Sequence, residues 1–358
     1  MKNYQSQLKS LLSKMVKEKA SDLHLSAGRF PFLRMDTNLA PILGTERLFP
    51  EDVKGLADIL IPEGKKQEFL ENKEVDFSYS VEDGGQSSIR FRVNVFLQRG
   101  EISCALRLIP SEIPTLEKLN LPPILREFTK ASQGLVLVTG ASSEGKSTTL
   151  ASLINEINQS RTGHIITIED PIEYIFKDDK CLIEQREVYQ DTKSFKSALR
   201  ASFRQDPDVI MVGEMRDPET IAAAITAAET GHLIFATLHT NSASQTIHRI
   251  VDSFPGSQQN QIMAQLSSNL LGIISQRLIP RIKGGMVPAC EVLLSSPAVS
   301  NLIRENKVHE IPLVIGTSGE KGMISLNRSL ADLVSQGEIS VDDALLYSLN
   351  PGELKELL

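Results

Sequence analysis

The stretch from Gly134 to Thr148, GLVLVTGASSEGKST, constrains this chain more than any other. Leu135 to Val138 is an unbroken apolar run of the kind that forms a buried strand. Gly140-Ala141-Ser142-Ser143-Glu144-Gly145-Lys146-Ser147 follows and fits the pattern G-x-x-x-x-G-K-[ST]. TTLASLINEI then carries apolar residues at helical spacing. Strand, glycine-bounded loop and helix in that order separate a working phosphate loop from an ordinary glycine-containing turn. Backbone N–H groups of such a loop and the positive end of its helix cradle phosphate oxygens. The residues expected to hold a nucleotide such as ATP are Gly140, Ser142, Ser143, Glu144, Gly145, Lys146, Ser147 and Thr148. Lys146 is placed to reach the β- and γ-phosphates, and the Ser147 hydroxyl to hold Mg²⁺.

Glu144 is unusual, because it sets a carboxylate just before Gly145, where polyphosphate must approach. Two readings stand side by side. The side chain points into water, or it repels the phosphates and weakens nucleotide affinity.

At 358 residues, the length suits two or three domains. A net charge of -7 argues against a protein that wraps nucleic acid, so no nucleic-acid partner is expected. Cys104, Cys181 and Cys290 are far apart and form no C-x-x-C pair, which suggests a reducing compartment and no local zinc site. No apolar run is long enough for a transmembrane helix. The first residues form a basic amphipathic helix, with Leu8, Leu11, Leu12, Met15 and Val16 on one face, expected to pack on its own domain rather than on a membrane. A cytoplasmic protein is the expectation.

Taken in order, residues 1–108 read as a small α+β domain. SDLHLSAG and PFLRMDTNLAPIL suggest short strands, and PEDVKGLADILI and PEGKKQEFLENK two helices opened by proline. VDFSYSV, SIRFRVNVFLQR and EISCALRLI read as antiparallel strands, with EDGGQS as a hairpin loop. PSEIPTLEKLNLPP, with its four prolines, marks a linker over 109–122. From 123 to 295 strands and helices alternate, the sign of a mostly parallel sheet. HIITIED (164–170), VIMVGEM (209–215) and HLIFATLHT are its further strands. QNQIMAQLSSNLLGIISQRLIP is expected as a long helix leading into a strand near Pro280. Residues 296–358 read as a helical tail.

Open α/β sheets bind ligands at strand carboxyl ends. Glu169-Asp170 and Glu214 lie at such ends, and Glu214 is placed to orient and activate water. A lone acid there is ordinarily a helix cap or a solvated loop residue; several beside a phosphate loop point to function. His232 and His239 bracket one strand, with His239 the better candidate to sense a γ-phosphate and His232 readable as a core histidine. Arg90, Arg92, Arg99 and Arg107 crowd the last strands of the first domain, either as a solvated face or as arginine fingers for a neighbouring subunit.

Together these segments resemble the secretion-ATPase superfamily, and within it the type IV pilus retraction ATPases of the PilT/PilU group. The phosphate loop GASSEGKSTT, an Asp box TIEDPIEY, a Walker B stretch RQDPDVIMVGEMRDPETI and a His box AAETGHLIFATLHTNSA occur in the family's order. ASDLHL, FRVNVF, LRLIP, VSNLIRENKVHEI and SLNRSLADLV extend the likeness over nearly the whole chain. The resemblance implies a PAS-like N-terminal domain, a RecA-like ATPase domain binding ATP and Mg²⁺, and a homohexameric ring. It also implies retraction of a pilus at the inner face of the cytoplasmic membrane, through an inner-membrane platform protein and beside a paralogous retraction ATPase. By motif position it implies Glu214 as catalytic glutamate, Glu169 as the Asp-box acid and His239 as the His-box residue. Arg92, Arg99 and Arg107 are the positions for arginines supplied by N-terminal domains. The chain departs from the family loop G-x-T-G-S-G-K-S-T at Ser142, Ser143 and Glu144, and carries Ser300 where the tail motif has Arg. The loop departure motivates an alternative function, an accessory ring of low ATPase activity that modulates a partner enzyme. An assembly or type II secretion ATPase is a further alternative; such chains are larger at the N-terminus and often carry a four-cysteine element.

Overall fold

The computed structural model describes residues 3–35, 38–82, 88–109 and 112–358. The chain divides into two units, one ending at Glu112 and one running from Ile113 to Leu358. Pro110 and Ser111 of the expected linker, and the expected hairpin loop apart from Glu82, lie outside the described residues.

The first unit contains α1 (Tyr4–Lys17), β1 (Asp22–Ser26), β2 (Phe32–Met35), β3 (Asn38–Pro41), α2 (Pro50–Leu60), α3 (Lys66–Asn72), β4 (Glu74–Glu82), β5 (Ser88–Gln98) and β6 (Glu101–Ile109). Its strands form one sheet in the order β3-β2-β1-β6-β5-β4, with every neighbouring pair antiparallel. Side chains alternate across a pleated strand. Phe91, Val93 and Val95 of β5 and Leu23 and Leu25 of β1 therefore enter one core, which also takes Leu8, Leu11, Leu12 and Met15 of α1. The basic helix packs on its own unit, as its apolar face predicts.

The second unit contains α4 (Arg126–Lys130), β7 (Gly134–Thr139), α5 (Lys146–Ser160), β8 (Gly163–Glu169), β9 (Cys181–Glu187), α6 (Phe195–Ser202), β10 (Val209–Val212), α7 (Pro218–Glu229), β11 (Leu233–Leu238), α8 (Ala243–Asp252), α9 (Gly256–Asn269), β12 (Leu270–Pro280) and β13 (Met286–Leu294). The helices α10 (Pro297–Arg304), α11 (Ile311–Thr317), α12 (Leu326–Ser335), α13 (Val341–Tyr347) and α14 (Pro351–Leu357) complete it. Its sheet runs β13-β12-β7-β11-β10-β8-β9, parallel except for the β12–β13 pair.

β7 and β11 are buried at every position, which is what helices on both faces of a parallel sheet require. Alternate residues go to different cores. Val136, Val138, Val209, Met211 and Phe235 meet α5, whereas Leu135, Leu137, Ile210, Val212 and Ile234 meet α7, α8 and α9. Leu116, Leu121 and Leu125 are buried in the α5-side core, and the Ser152 hydroxyl donates to the Pro114 carbonyl at 2.6 Å. The proline-rich stretch from Ile113 onward is thus integral to the second unit.

Three elements differ from the sequence expectations. The helix read through LLGIISQRLIP ends at Asn269, and Leu270–Pro280 is strand. A short apolar run does not reveal its period, and here ladder partners on both sides, β7 and β13, decide the matter. β10 stops at Val212, short of Met215, so Glu214 lies on the loop beyond it. β9 was not expected; its polar-rich sequence CLIEQRE suits the sheet edge it occupies. The tail helices are structural parts of the unit: Val299, Ile303, Ile311 and Ile315 enter the α7–α9 core, and α12 to α14 pack with Ile279, Val287 and Ala289. The Ser300 hydroxyl donates to the Ser267 carbonyl at 2.8 Å, fastening α10 to α9.

Position in the sheet sets the cost of truncation. Phe235 on central β11 is fully buried, whereas Leu182 on edge strand β9 is 54% exposed. Phe235→Ala should lower stability to urea by roughly 3–5 kcal/mol, and Leu182→Ala by less than about 0.5 kcal/mol. Similar unfolding midpoints for the two variants would contradict this sheet order.

Candidate active site

The carboxyl ends of β7, β8, β10 and β11 lie side by side, and each delivers one expected residue there. β7 feeds the phosphate loop, β8 ends in Glu169, the loop after β10 carries Glu214, and His239 follows β11. His232 sits at the other end of β11. Its ring Nδ1 is 3.1 Å from the Ala227 carbonyl and its ring packs against Phe203, so it is a structural histidine.

The loop is shaped to receive an anion. Gly140 has φ of 151°, and a Cβ there would lie 2.5 Å from the Gln276 carbonyl oxygen. Only glycine permits both. Thr149 N–H makes the first backbone bond of α5, to Gly145 O at 3.1 Å. Among the described residues, the N–H groups of Ser143 to Thr148 donate to no backbone or side-chain acceptor. Successive unpaired donors at the start of a fifteen-residue helix form a phosphate cradle. The Ser147 hydroxyl is likewise uncommitted among the described residues, while Thr148 Oγ1 bonds the Tyr174 hydroxyl at 2.9 Å. A single hydroxyl ligand suits Mg²⁺, which takes its other ligands from phosphates and water.

Lys146 Nζ lies across the loop, donating to the carbonyls of Gly140 at 3.0 Å and Ala141 at 2.7 Å. It is also 3.4 Å from His239 Nδ1. His239 Nε2 is 3.1 Å from Glu214 Oε1, and Glu214 Oε2 is 2.9 Å from Arg216. A lysine ammonium can only donate, so His239 Nδ1 accepts and its Nε2–H donates to Glu214. Lys146, His239, Glu214 and Arg216 therefore form one continuous polar string. Burial lowers the Lys146 pKa, and Glu214, Glu144 and Glu173 oppose this. For Glu214 the balance is reversed. Burial raises its pKa, but Arg216 and His239 more than offset that and leave the carboxyl below its ordinary range. Glu214 is ionised at neutral pH, fit to accept a hydrogen bond from water.

Glu169 is 6% exposed. Its carboxylate accepts from Thr167 Oγ1 at 2.7 Å, Gln185 Nε2 at 3.3 Å and Glu173 N–H at 3.3 Å. Burial pushes this carboxyl up to about 7, against those hydrogen bonds. Gly213 N–H donates to Ile168 O at 2.8 Å, and a Cβ on Gly213 would meet Glu169 Cα at 3.3 Å. The glycine before Glu214 thus lets its loop lie against Glu169.

Glu144 does not point into water. It is half-buried, and its carboxylate accepts from the backbone N–H of Leu278 on β12. Sequence reasoning also missed Gln276 and Arg216. Gln276 could not be found once β12 had been read as helix. Arg216 lies two residues beyond Glu214 on a loop, where no periodicity marks its direction.

The arginines lie in the first unit. Arg92 on β5 and Arg107 on β6 are cross-strand partners. Arg107 Nε bonds Asp22 at 2.9 Å, and Arg92 Nε is 3.9 Å from Asp76. Arg99 occupies the β5–β6 turn with φ of 52°. It is exposed and forms no ion pair among the described residues.

The raised Glu169 pKa has a consequence for stability. The folded state holds this proton more tightly than the unfolded chain, whose carboxyl titrates near 4.5. Its contribution is complete below that pH and is lost as pH rises to about 7. Glu169→Gln, neutral at every pH, should gain on wild type between pH 5 and 8 by an amount on the order of 3 kcal/mol. A stability difference that stays constant with pH would contradict a proton-holding Glu169.

Residues 73–331 match the protein family described as type II/IV secretion system protein. The chain is 45% identical to the type IV pilus retraction ATPase PilT of Pseudomonas aeruginosa over 334 residues, covering 93% of this chain and 96% of that one. It is 41% identical to the type IV pilus ATPase PilU of the same organism over 353 residues, 98% of this chain and 91% of PilU. The crystal structure of a pilus retraction motor PilT with bound ADP superposes with a TM-score of 0.90 at 48% identity, covering 99% of both chains. This chain belongs to the type II/IV secretion system protein family, in its PilT and PilU group of type IV pilus ATPases.

Proposed function

We propose that this chain hydrolyses ATP in a homohexameric ring and that hydrolysis drives retraction of a type IV pilus. The ring acts at the inner face of the cytoplasmic membrane on a platform protein. No helix among the described residues is long and apolar enough to cross a membrane, so attachment there would come through partners. The observation that carries the reading is the string from Lys146 through His239 to Glu214 beside an uncommitted phosphate cradle.

In this reading Lys146 exchanges the Gly140 and Ala141 carbonyls for phosphate oxygens. The N–H groups from Ser143 to Thr148 hold the β-phosphate, as successive donors at a helix start do. Mg²⁺, held through Ser147, would neutralise charge on the β- and γ-phosphates. His239 lies next to Lys146, so it registers whether that ammonium faces the loop or a phosphate. Glu214 orients the attacking water and accepts its proton, while Arg216 fixes the carboxylate's second oxygen. Glu169 buttresses the Glu214 loop. Arg92, Arg99 and Arg107 are proposed to act on the ATP of a neighbouring subunit, Arg99 being the least committed of the three.

The loop departures at Ser143 and Glu144 motivate a second reading, a ring of low ATPase activity that modulates a paralogous retraction ATPase. The Glu144 carboxylate, which motivated a weak nucleotide site, is turned to Leu278, and that favours the motor. Steady-state turnover distinguishes the two. Glu214→Gln should lower kcat roughly 10²- to 10⁴-fold with ATP affinity nearly unchanged, the range for general-base assistance. Turnover equal to wild type would remove Glu214 from the chemistry. Negligible turnover by the wild-type ring would favour the modulating role.

A further inference from the structure

β12 touches the phosphate loop at both of its ends. Thr139 and Ser275 hydroxyls meet at 2.8 Å. Gly140 backs onto the Gln276 carbonyl. The Gln276 side chain, 2% exposed, donates to the Glu144 carbonyl and accepts from Thr149 Oγ1 at 2.8 Å. One contact is particular to this chain's departure from the usual loop, the Glu144 carboxylate on Leu278 N–H.

The strand geometry explains why an acceptor is needed there. Pairing between β7 and β12 ends at Thr139 and Ser275, yet β12 continues to Pro280. On the other side Leu278 faces Pro288, which has no N–H to exchange, so this is a pair without ladder bonds. Leu278 N–H therefore points toward the side from which β7 has departed. An orphaned strand donor is costly when partly buried, and Glu144 satisfies it.

We propose that Glu144 is a positioning residue of the nucleotide site, clamping the phosphate loop to β12 through Leu278 rather than repelling the phosphates. Its carboxylate also favours the charged form of Lys146 against burial. The clamp fixes the residue before Gly145, and thereby the direction of the N–H groups that open α5. This inference rests on the reading that the loop holds ATP.

Two substitutions separate a clamp from a repulsive charge. Glu144→Gln removes the charge but keeps a carbonyl oxygen for Leu278 N–H; Glu144→Ala removes both. KM and kcat for MgATP and the Kd for ADP are measured on the purified full chain, with hydrogen exchange of the peptide covering residues 276–280. The expected result is about a tenfold rise in KM and Kd for Glu144→Ala, about 1.4 kcal/mol, with kcat within about twofold. Glu144→Gln, which keeps the acceptor but loses the charge beside Lys146, should fall between wild type and Glu144→Ala in KM and Kd. Exchange at 276–280 should accelerate in Glu144→Ala only. If Glu144→Ala does not fold, Glu144→Ser replaces it, its hydroxyl being two bonds shorter than the carboxylate. Tighter binding by both variants, or equal effects of the two, would overturn the clamp. A wild-type protein that binds neither ATP nor ADP would overturn the nucleotide reading as well, so the two failures are distinguishable.

Discussion

A parallel sheet covered by helices on both faces leaves few places for reactive groups. In β7, β8, β10 and β11 the backbone groups are bound in the ladder, and the buried apolar side chains enter one of two cores. Only the strand ends are open. The carboxyl ends carry Lys146, Glu169, Glu214 and His239 side by side, and the site depends on this. Strand order sets which groups can meet. β7 lies next to β11 and β11 next to β10, so the string runs Lys146, His239, Glu214 in that spatial order.

The charges along the string are balanced by position. Burial alone would favour a neutral lysine and a protonated glutamate. Lys146 is nonetheless surrounded by Glu214, Glu144 and Glu173, and Glu214 by Arg216 and His239. For Glu214 the partners outweigh burial; for Lys146 burial still lowers the pKa, and the carboxylates limit that shift. Among the described residues Glu169 has no such cation, only neutral donors, and burial dominates. Two carboxyls at neighbouring strand ends are thereby set apart. One is ionised at neutral pH, and the other titrates near it. That is the pattern by which environment divides roles between like residues.

Much of this was legible in the sequence. Glycines and a lysine at fixed spacing between an apolar run and a helical pattern are a local signal. The family resemblance, with its order of motifs, has the same origin. What escaped was non-local. LLGIISQRLI reads as helix or strand until β7 and β13 flank it, and with β12 misread, the contacts of Gln276 and Leu278 with the loop were invisible. In the sequence Glu144 has only phosphate or water as a visible counterpart, because the strand N–H that takes its carboxylate lies 134 residues away. The arginines of the first unit were visible as a cluster, but only cross-strand register shows Arg107 committed to Asp22 while Arg99 occupies a turn.

We propose that the four strand ends form a single ATP site in which Lys146 changes partners. The most direct measurement is a structure of the assembled protein with Mg²⁺ and a non-hydrolysable ATP analogue. The expected result has Lys146 Nζ off the Gly140 and Ala141 carbonyls and on phosphate oxygens, with Ser147 on the metal and Glu214 facing the γ-phosphate. Lys146 still bound to those carbonyls, with the analogue seated elsewhere, would contradict it.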